Sequence, residues 1–445
     1  MFAAVWPATR VLVSDLPTGT SGERPRVALF QAFWRLHSST VYSAQVLADS
    51  GYRVDVFLFA VNESIPMSAL NDAEGIFVHR IEAGENFPRS AGEASLLARQ
   101  LRRVFSALLR RAMKPLWSYV LLLLKSDKGL IPKDVLDQTI RAMDGQRYTA
   151  YIGIEKGGLI WAGAIARRRP TALIYSNLEL YTRNVSAQVA IALVRSTMWI
   201  RRMKAAEEMN HARCWATIVQ DPIRGNVLLD DNRITRSTRM LYVPTSRMGR
   251  PVSWKSRCWR RQLGIEEDKI VIVSHGMIAE GRFCIELAEL AQAFPDNWLL
   301  VFHGFGERSI IHRISNIDTK QHVRLSLDLV DLAKEPEVMR SADISLVLYQ
   351  NETQNDCLTG FSSEKLALSL QCGVPIIAFN YPSYEHIRDE GCGILVDDLS
   401  EIPRAASKIL ADYANYSSRA YRAFEKYYRF EANFQKVLAA LNELN

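Results

Sequence analysis

The stretch SSEKLALSLQCGVPIIAF, residues 362–379, places a helix directly before a strand. Apolar residues recur at helical spacing over Ser363–Leu370, and the run Pro375–Phe379 has the short, continuous apolar character of a buried strand. Gly373 and Pro375 are typical of the turn that ends a helix and starts a strand. A helix that leads straight into a buried strand is typical of a parallel sheet, so the stretch predicts an α/β fold.

The same alternation of strand and helix extends from this stretch over most of the chain. In the second half, further strands are expected at Lys269–Ser274, Trp298–His303, His322–Leu325, Ile344–Leu348 and Gly393–Val396. In the first half, strands are expected at Arg26–Phe30, Arg53–Phe59, Ala150–Ile154, Thr171–Tyr175, Trp215–Val219 and Met240–Val243. A basic segment without periodicity, residues 247–261, is expected to link the two halves.

We therefore predict two doubly wound, Rossmann-like domains that face each other across a cleft. The first covers residues 1–250, and the second covers residues 251–445 and ends in helices from Ser400 onward. Open parallel sheets bind ligands at the carboxyl ends of their strands, so the cleft between the domains is the expected binding site.

Composition narrows the class of protein. The 445 residues are 48% hydrophobic and carry a net charge of +7, which suits a globular protein with an anionic partner. No zinc-finger spacing or RNA-binding aromatic motif is present, so nucleic acid is not an expected partner. Six cysteines without a C-x-x-C pair, no signal-peptide pattern and no apolar stretch of roughly 18–20 residues lead us to expect a cytoplasmic protein.

Five short motifs in the second half occur in a fixed order on the expected strands and loops. They are Ser274-His275-Gly276 followed by Arg282, Val301–Gly306 ending in G-x-G, Ser341–Ile344, Lys365 followed by Cys372–Ile377, and Gly391–Val396. Together they resemble the GT-B glycosyltransferases, in particular the large retaining group often called family 4. In the first half, Glu179–Tyr181, Val219–Arg224 and Val243–Ser246 are similar to the same family.

The resemblance implies a nucleoside diphosphate sugar, bound as substrate by the second domain, and no other cofactor. It implies that Arg282 and Lys365 hold the diphosphate and stabilise its charge as it leaves. Gly276 would let the backbone approach a phosphate. Further donor-site candidates are Gly304, Gly306, Ser362, Ser363 and Glu364. Turn glycines are the alternative interpretation of Gly304 and Gly306, and a solvated helix start is the alternative for Glu364.

The sequence departs from the family pattern at one pair of positions. Well-known members carry two glutamates eight residues apart, and the aligned positions here are Gly360 and Leu368. The second glutamate normally holds the donor ribose, and Glu364, one turn earlier, is a candidate replacement. A catalytically impaired partner subunit, or another GT-B enzyme such as a sugar-nucleotide epimerase, is therefore the alternative to a glycosyltransferase.

The sequence points less specifically to an acceptor site than to a donor site. His37, Glu155 and Lys156 follow expected strands of the first domain and are candidates to face the cleft, with ordinary loop or core-edge residues as the alternative. The adjacent pairs Asp230-Asp231 and Asp397-Asp398 have diverging side chains, so we expect no metal site and metal-independent chemistry. The resemblance implies retention and a glycan or lipid-linked acceptor, as in bacterial polysaccharide or glycoconjugate assembly.

Two basic segments raise the question of a membrane surface. Residues 96–125 alternate arginine with leucine, valine and phenylalanine at helical spacing, and Trp117 and Tyr119 follow. Residues 191–204 form a second basic segment. Such helices bind anionic bilayers from one side, so we expect a peripheral protein on the inner face of the cell membrane. The alternative is a surface helix that packs its apolar face on the domain core.

Overall fold

The computed structural model describes residues 24–33, 36–59, 70, 73–82, 127–180, 194–328 and 330–445. The described strands form two parallel sheets, one of seven strands in the order β3-β2-β1-β4-β5-β6-β7 and one of six in the order β10-β9-β8-β11-β12-β13. The expected α/β class with two doubly wound sheets is confirmed.

The first sheet contains β1 (Arg26–Ala32), β2 (Arg53–Phe59), β3 (Ile76–Ile81), β4 (Ala150–Ile154), β5 (Ala172–Ser176), β6 (Ala216–Val219) and β7 (Arg239–Tyr242). Its described helices are α1 (Ser38–Asp49), α2 (Lys133–Ala142), α3 (Glu155–Ala166), α4 (Val194–His211) and α5 (Pro222–Asp231). Both faces of the sheet are covered, which explains why its central strands are almost continuously apolar.

The second sheet contains β8 (Ile270–His275), β9 (Trp298–His303), β10 (Val323–Ser326), β11 (Ile344–Val347), β12 (Ile376–Phe379) and β13 (Gly393–Val396). Its helices are α6 (Cys258–Gln262), α7 (Cys284–Ala291), α8 (Arg308–Ile317), α9 (Glu335–Met339), α10 (Gln354–Cys357), α11 (Glu364–Gln371), α12 (Glu385–Glu390), α13 (Ile402–Ala411) and α14 (Tyr413–Ala423). A π-helical turn, Phe424–Tyr428, leads to the last helix, α15 (Phe430–Asn442).

The last helix returns to the first domain. Phe430, Phe434, Val437 and Leu441 lie on one face of α15 and belong to the core that covers the first sheet, where the Tyr42 ring is 5.4 Å from that of Phe430. The sequence division had grouped these residues with the second domain. Their apolar stripe shows that the helix is buried on one side, but spacing alone does not say which sheet it covers.

Helix α3 begins at Glu155, directly after β4, and contains Gly157 and Gly158 in its first turn. Two adjacent glycines are unusual in a helix because glycine weakens helices, so the sequence alone does not indicate a helix start here. The structure supplies the reason for them. A Cβ on Gly158 would lie 2.1 Å from the Phe30 carbonyl oxygen, so glycine is what lets the helix lie close against β1.

The segment expected to be a linker, residues 247–261, is only partly irregular. It contains the start of α6, whose Trp259 is fully buried and donates from Nε1 to the Ser326 hydroxyl at 3.1 Å. Its Arg247 is buried as well, and its guanidinium pairs with the Glu335 carboxylate at 2.5 Å. At least one basic residue of this segment, Arg247, is therefore part of the folded core, which the run of positive charges in the sequence does not show.

Candidate active site

An open cavity of about 190 Å³ lies at the carboxyl edge of the second sheet. It sits between the ends of β8 and β11, which are neighbours although other strands separate them in sequence. Such a switch point is where open parallel sheets bind ligands, because the following loops diverge there. The polar lining comes from Ser274, His275, Gly276, Arg282, Tyr349 and Lys365.

Lys365 enters this cavity from the first turn of α11. Its Nζ lies 4.5 Å from the centre of the Tyr349 ring and would be 3.8 Å from a Cβ placed on Gly276. Burial lowers the pKa of the Lys365 ammonium to about 8, and the nearby Arg282 guanidinium acts in the same direction. An anion bound beside the ammonium would stabilise the positive charge and raise this pKa again.

Arg282 reaches the same cavity from the loop after β8. Its guanidinium carbon lies 5.9 Å from the centre of the Tyr349 ring, so both cations lie over the same aromatic ring. An ion pair with Asp356 at 3.8 Å holds the guanidinium in place. The structure thus brings together the two positive side chains that were predicted from the sequence, beside the N-terminus of α11.

Of the three candidate glycines, only Gly276 is among the residues that line the cavity. It has φ 125°, a conformation that favours glycine. A Cβ on Gly304 would lie 2.0 Å from the Gly276 carbonyl oxygen, and one on Gly306 would lie 2.2 Å from that of Ile278. Gly304 and Gly306 therefore let the loops after β8 and β9 pack on each other, which agrees with their alternative interpretation as turn glycines, and they are not among the residues that line this cavity.

The start of α11 is tied to its surroundings by three polar residues. Ser363 caps the helix by accepting from the Leu366 N–H, and its hydroxyl is 2.9 Å from that of Tyr349. Ser362 donates to the Leu358 carbonyl at 3.2 Å. Glu364 accepts a hydrogen bond from the Ser38 hydroxyl of the first domain. These contacts fix the helix turn that carries Lys365.

The position that aligns with the ribose-binding glutamate is part of the core. Leu368 is 2% exposed and packs in the cluster that includes Trp259 and Val271. A side chain so placed cannot reach a ribose hydroxyl. Glu364, the candidate replacement, is directed to Ser38 across the domain interface.

One buried arginine joins the two domains. Arg224 on α5 is 1% exposed and makes five hydrogen bonds. Within its own domain it donates to Gln220 Oε1 at 2.7 Å and to the Leu178 carbonyl at 2.8 Å. From the second domain it contacts the Leu358 carbonyl at 3.1 Å, Ser362 Oγ at 3.1 Å and Asn355 Oδ1 at 3.2 Å.

The acceptor-side candidates do not form one group. Glu155, expected to face the cleft, is buried in a left-handed conformation with φ 60°, and its Oε1 accepts the N–H groups of Leu178 and Glu179 at 2.6 and 2.8 Å. Its carboxylate is therefore engaged by the backbone. Burial lowers the pKa of Lys156. His37 precedes α1, and its ring stacks on that of Phe33 at 5.0 Å.

Sequence reasoning missed Tyr349, Asp356 and Arg224. Tyr349 follows β11 by two residues, so its place at a strand end beside the switch point was a usable signal. Arg224 lies in a motif that had been noted only for its family likeness. Nothing local in the sequence separates it from a solvated arginine, because four of the five acceptors of its side chain lie more than 40 residues away.

The basic segments are described only in part. Residues 96–125 lie outside the described residues, as do 191–193. On α4, Trp199 is 55% exposed and Arg201 is exposed. Arg202 and Lys204, expected on the basic surface, are buried instead, Arg202 on the Lys128 carbonyl and Lys204 against Glu207 and Asp231.

Two structural features are absent from the described ranges. No helix there combines the length and the apolar character that crossing a bilayer requires. No group of three or more histidine, cysteine, aspartate or glutamate side chains there is arranged to hold a metal ion.

Comparison with known proteins identifies the fold. No family model and no curated protein matches the chain. Among solved structures, sucrose-phosphate synthase from Thermosynechococcus elongatus superimposes with a TM-score of 0.63 at 14% identity, over 95% of this chain and 99% of that one. Anabaena Alr3699/HepE, solved with UDP and glucose, gives 0.64 at 13% identity, over 94% and 99%. An E. coli structure described as trehalose-6-phosphate bound with UDP-2-fluoro glucose gives 0.60 at 12% identity, over 94% and 99%. The chain has the GT-B fold.

Replacing Arg224 by methionine tests its role at the interface. We expect Arg224→Met to lower the free energy of unfolding by about 3 kcal/mol, because buried acceptors in both domains lose their donor. Urea denaturation of the full chain measures this. The matched control is Arg388→Met, an exposed arginine beside Asp389, which should change stability little. Equal stability of the two variants would contradict the role of Arg224.

Proposed function

We propose that this chain is a glycosyltransferase that takes a sugar from a nucleoside diphosphate sugar. The observation that carries the proposal is the convergence of Arg282 and Lys365 beside the Tyr349 ring, in the cavity at the switch point of the second sheet. Two fixed cations and a helix N-terminus are the groups that a leaving diphosphate requires.

In the reaction, the bond between the sugar C1 and the diphosphate oxygen breaks, and its electron pair stays on the diphosphate. The acceptor hydroxyl oxygen bonds to C1, and its proton goes to the departing phosphate oxygen. Negative charge therefore grows on the diphosphate in the transition state. The Arg282 fork and the Lys365 ammonium stabilise it more than they stabilise the bound donor, which is what accelerates the reaction.

The donor, the stereochemistry and the acceptor class are proposed from the structural neighbours and the sequence motifs. Three solved structures of this fold hold UDP or a UDP-sugar, so UDP-glucose is the first donor to test. The resemblance of the second-domain motifs supports retention and a glycan or lipid-linked acceptor in bacterial polysaccharide or glycoconjugate assembly. With two cations facing the diphosphate, we propose that the transfer needs no metal.

Substitution of the two cations tests the proposal. We expect Arg282→Ala and Lys365→Ala each to lower the rate of sugar transfer or donor hydrolysis by about 10²-fold or more. Donor turnover with UDP-, GDP- and ADP-glucose measures this, with the exposed Arg308→Ala as control. A chain that binds none of these donors by calorimetry would instead be a non-catalytic partner subunit. Unchanged rates in both variants would show that this cavity is not the site of sugar transfer.

The lowered pKa of Lys365 predicts a pH dependence of binding. Lysine is positively charged below its pKa, so in the free protein the charge is present below about pH 8 and is lost as the pH rises through that value. A bound diphosphate raises this pKa again. We therefore expect UDP affinity to fall by about tenfold for each pH unit above about 8.

Calorimetric titration with UDP from about pH 7 to about pH 9.5 measures this effect. Lys365→Arg is the matched control, since a guanidinium stays charged over the whole range and should flatten the profile. A profile that is equally steep in Lys365→Arg would assign the titration to another group.

We further propose that the chain binds anionic membranes through residues 96–125, aided by the exposed Trp199 and Arg201. Flotation with liposomes containing anionic lipid at low salt should carry the protein into the lipid fraction, and neutral liposomes should not. Trp199→Ala combined with Arg201→Gln should weaken the binding. Absence from the anionic lipid fraction at low salt would show that the chain does not bind anionic membranes through these residues.

A further inference from the structure

A row of buried polar side chains runs through the first domain from α4 to the domain interface. Each of them is at most 2% exposed. Buried polar groups are costly unless hydrogen bonds satisfy them, so such a row is stable only where its members have partners. Five residues form this buried network, namely Glu207 on α4, Tyr175 on β5, Asn177 after β5, Gln220 after β6 and Arg224 on α5.

Consecutive members of the buried network are joined by hydrogen bonds. The Tyr175 hydroxyl donates to Glu207 Oε1 at 3.0 Å and accepts from Asn177 Nδ2 at 3.0 Å. Gln220 Nε2 donates to the Asn177 carbonyl at 2.6 Å, and Gln220 Oε1 accepts from Arg224 Nε at 2.7 Å. The network therefore connects a buried carboxylate on α4 with the buried guanidinium at the domain interface.

The donors of the buried network all point the same way, from the guanidinium toward the carboxylate. A carboxylate only accepts and a guanidinium only donates, so the two charged ends fix the direction of the neutral groups between them. Hydrogen bonds aligned in this way polarise and strengthen one another. Burial and the nearby Glu207 carboxylate both raise the pKa of Tyr175, so its hydroxyl keeps the proton that it donates.

At its interface end, the network fixes the guanidinium that holds the start of α11. Arg224 Nη1 donates to the Leu358 carbonyl and to Ser362 Oγ, both at 3.1 Å. Ser362 precedes the N-cap of α11, and Lys365 follows in the first turn of that helix. The guanidinium plane is rigid and its Nε is held by Gln220, so a shift at Nε also moves Nη1 and the acceptors bound to it.

From this arrangement, we infer that Glu207 and Tyr175 are positioning residues for donor binding, which act through the buried network on the helix turn that carries Lys365. The inference rests on the proposed function, because it concerns how the same cavity binds the diphosphate. Neither residue is among those that line the cavity, so each acts on the placement of the ammonium and not by touching the ligand.

Calorimetric titration of the full chain with UDP, GDP and ADP tests this, and the nucleotide that binds most tightly is used for the variants. Tyr175→Phe removes the hydroxyl between Glu207 and Asn177 and keeps the ring. We expect it to weaken nucleotide binding by about fivefold, within the range that mutations in connected networks produce. Glu207→Gln keeps the shape of the side chain but can donate to Tyr175 as well as accept, so we expect a similar loss.

Tyr148→Phe is the matched control. Tyr148 also donates to a buried carboxylate of the first domain, Asp55 Oδ2 at 3.1 Å, but it precedes β4 and lies at the amino edge of the sheet. Both tyrosine variants lose one such hydrogen bond, so urea denaturation should show lower stability in both. Only Tyr175→Phe should weaken nucleotide binding, and equal affinities of the two variants would show that the inference is wrong.

A double-mutant cycle tests the route through the network. Gln220→Met breaks the connection between Asn177 and Arg224, so Tyr175→Phe should weaken nucleotide binding no further in that background. Arg224→Met gives a second background should Gln220→Met not fold. Additive losses of affinity would show that Tyr175 does not act through these bonds, and the inference would then be wrong.

The same titrations separate this inference from the proposed function. Nucleotide binding that is lost in Lys365→Ala but unchanged in Tyr175→Phe and Glu207→Gln would reject the inference alone. If none of the three nucleotides binds, or if Lys365→Ala binds as the wild type does, the proposed function is rejected and the inference with it.

Discussion

The buried guanidinium of Arg224 constrains how the two domains sit on each other. A charge at 1% exposure is stable only where hydrogen-bond acceptors surround it, and here the acceptors come from both domains. Leu178 and Gln220 supply two of them from the first domain, and Leu358, Ser362 and Asn355 supply the others from the second. Moving the domains apart would leave this charge without three of these five acceptors.

The constraint extends to the cavity at the edge of the second sheet. The segment that supplies acceptors to Arg224 also leads into the helix turn that carries Lys365. Residues 355–364 belong to the second domain by chain connection but are tied to the first by hydrogen bonds. The Asn355 side chain pairs with the Leu180 backbone, accepting its N–H at 2.8 Å and donating to its carbonyl at 2.9 Å. The Thr245 N–H donates to the Phe361 carbonyl at 2.8 Å. Lys365 is the next residue after this segment, so its position in the cavity at the edge of the second sheet depends on both domains.

The parts of this arrangement that follow local rules could be predicted from the sequence. The strands and their order along the chain follow from apolar runs and turn residues, except for β3, where His79 and Arg80 interrupt the apolar run and no strand was expected. Arg282 and Lys365 converge because both lie in elements that meet at the switch point. The parts set by tertiary packing could not. The stripe of α15 does not say which sheet it covers, and the close contact that requires Gly304 is visible only when the loop of Gly276 is in place.

The missing ribose glutamate and the placement of Glu364 have a common physical explanation. Leu368 and Glu364 lie one turn apart on α11, so the helix can offer a carboxylate at either level. At the level of Leu368 the helix packs on the core around Trp259, where an unpaired carboxylate would be costly. At the level of Glu364 the helix N-terminus favours negative charge, and Ser38 of the first domain donates to it. The Glu364 carboxylate thus contacts the first domain, and Arg282 and Lys365 are the charged groups that remain in the cavity for the proposed donor.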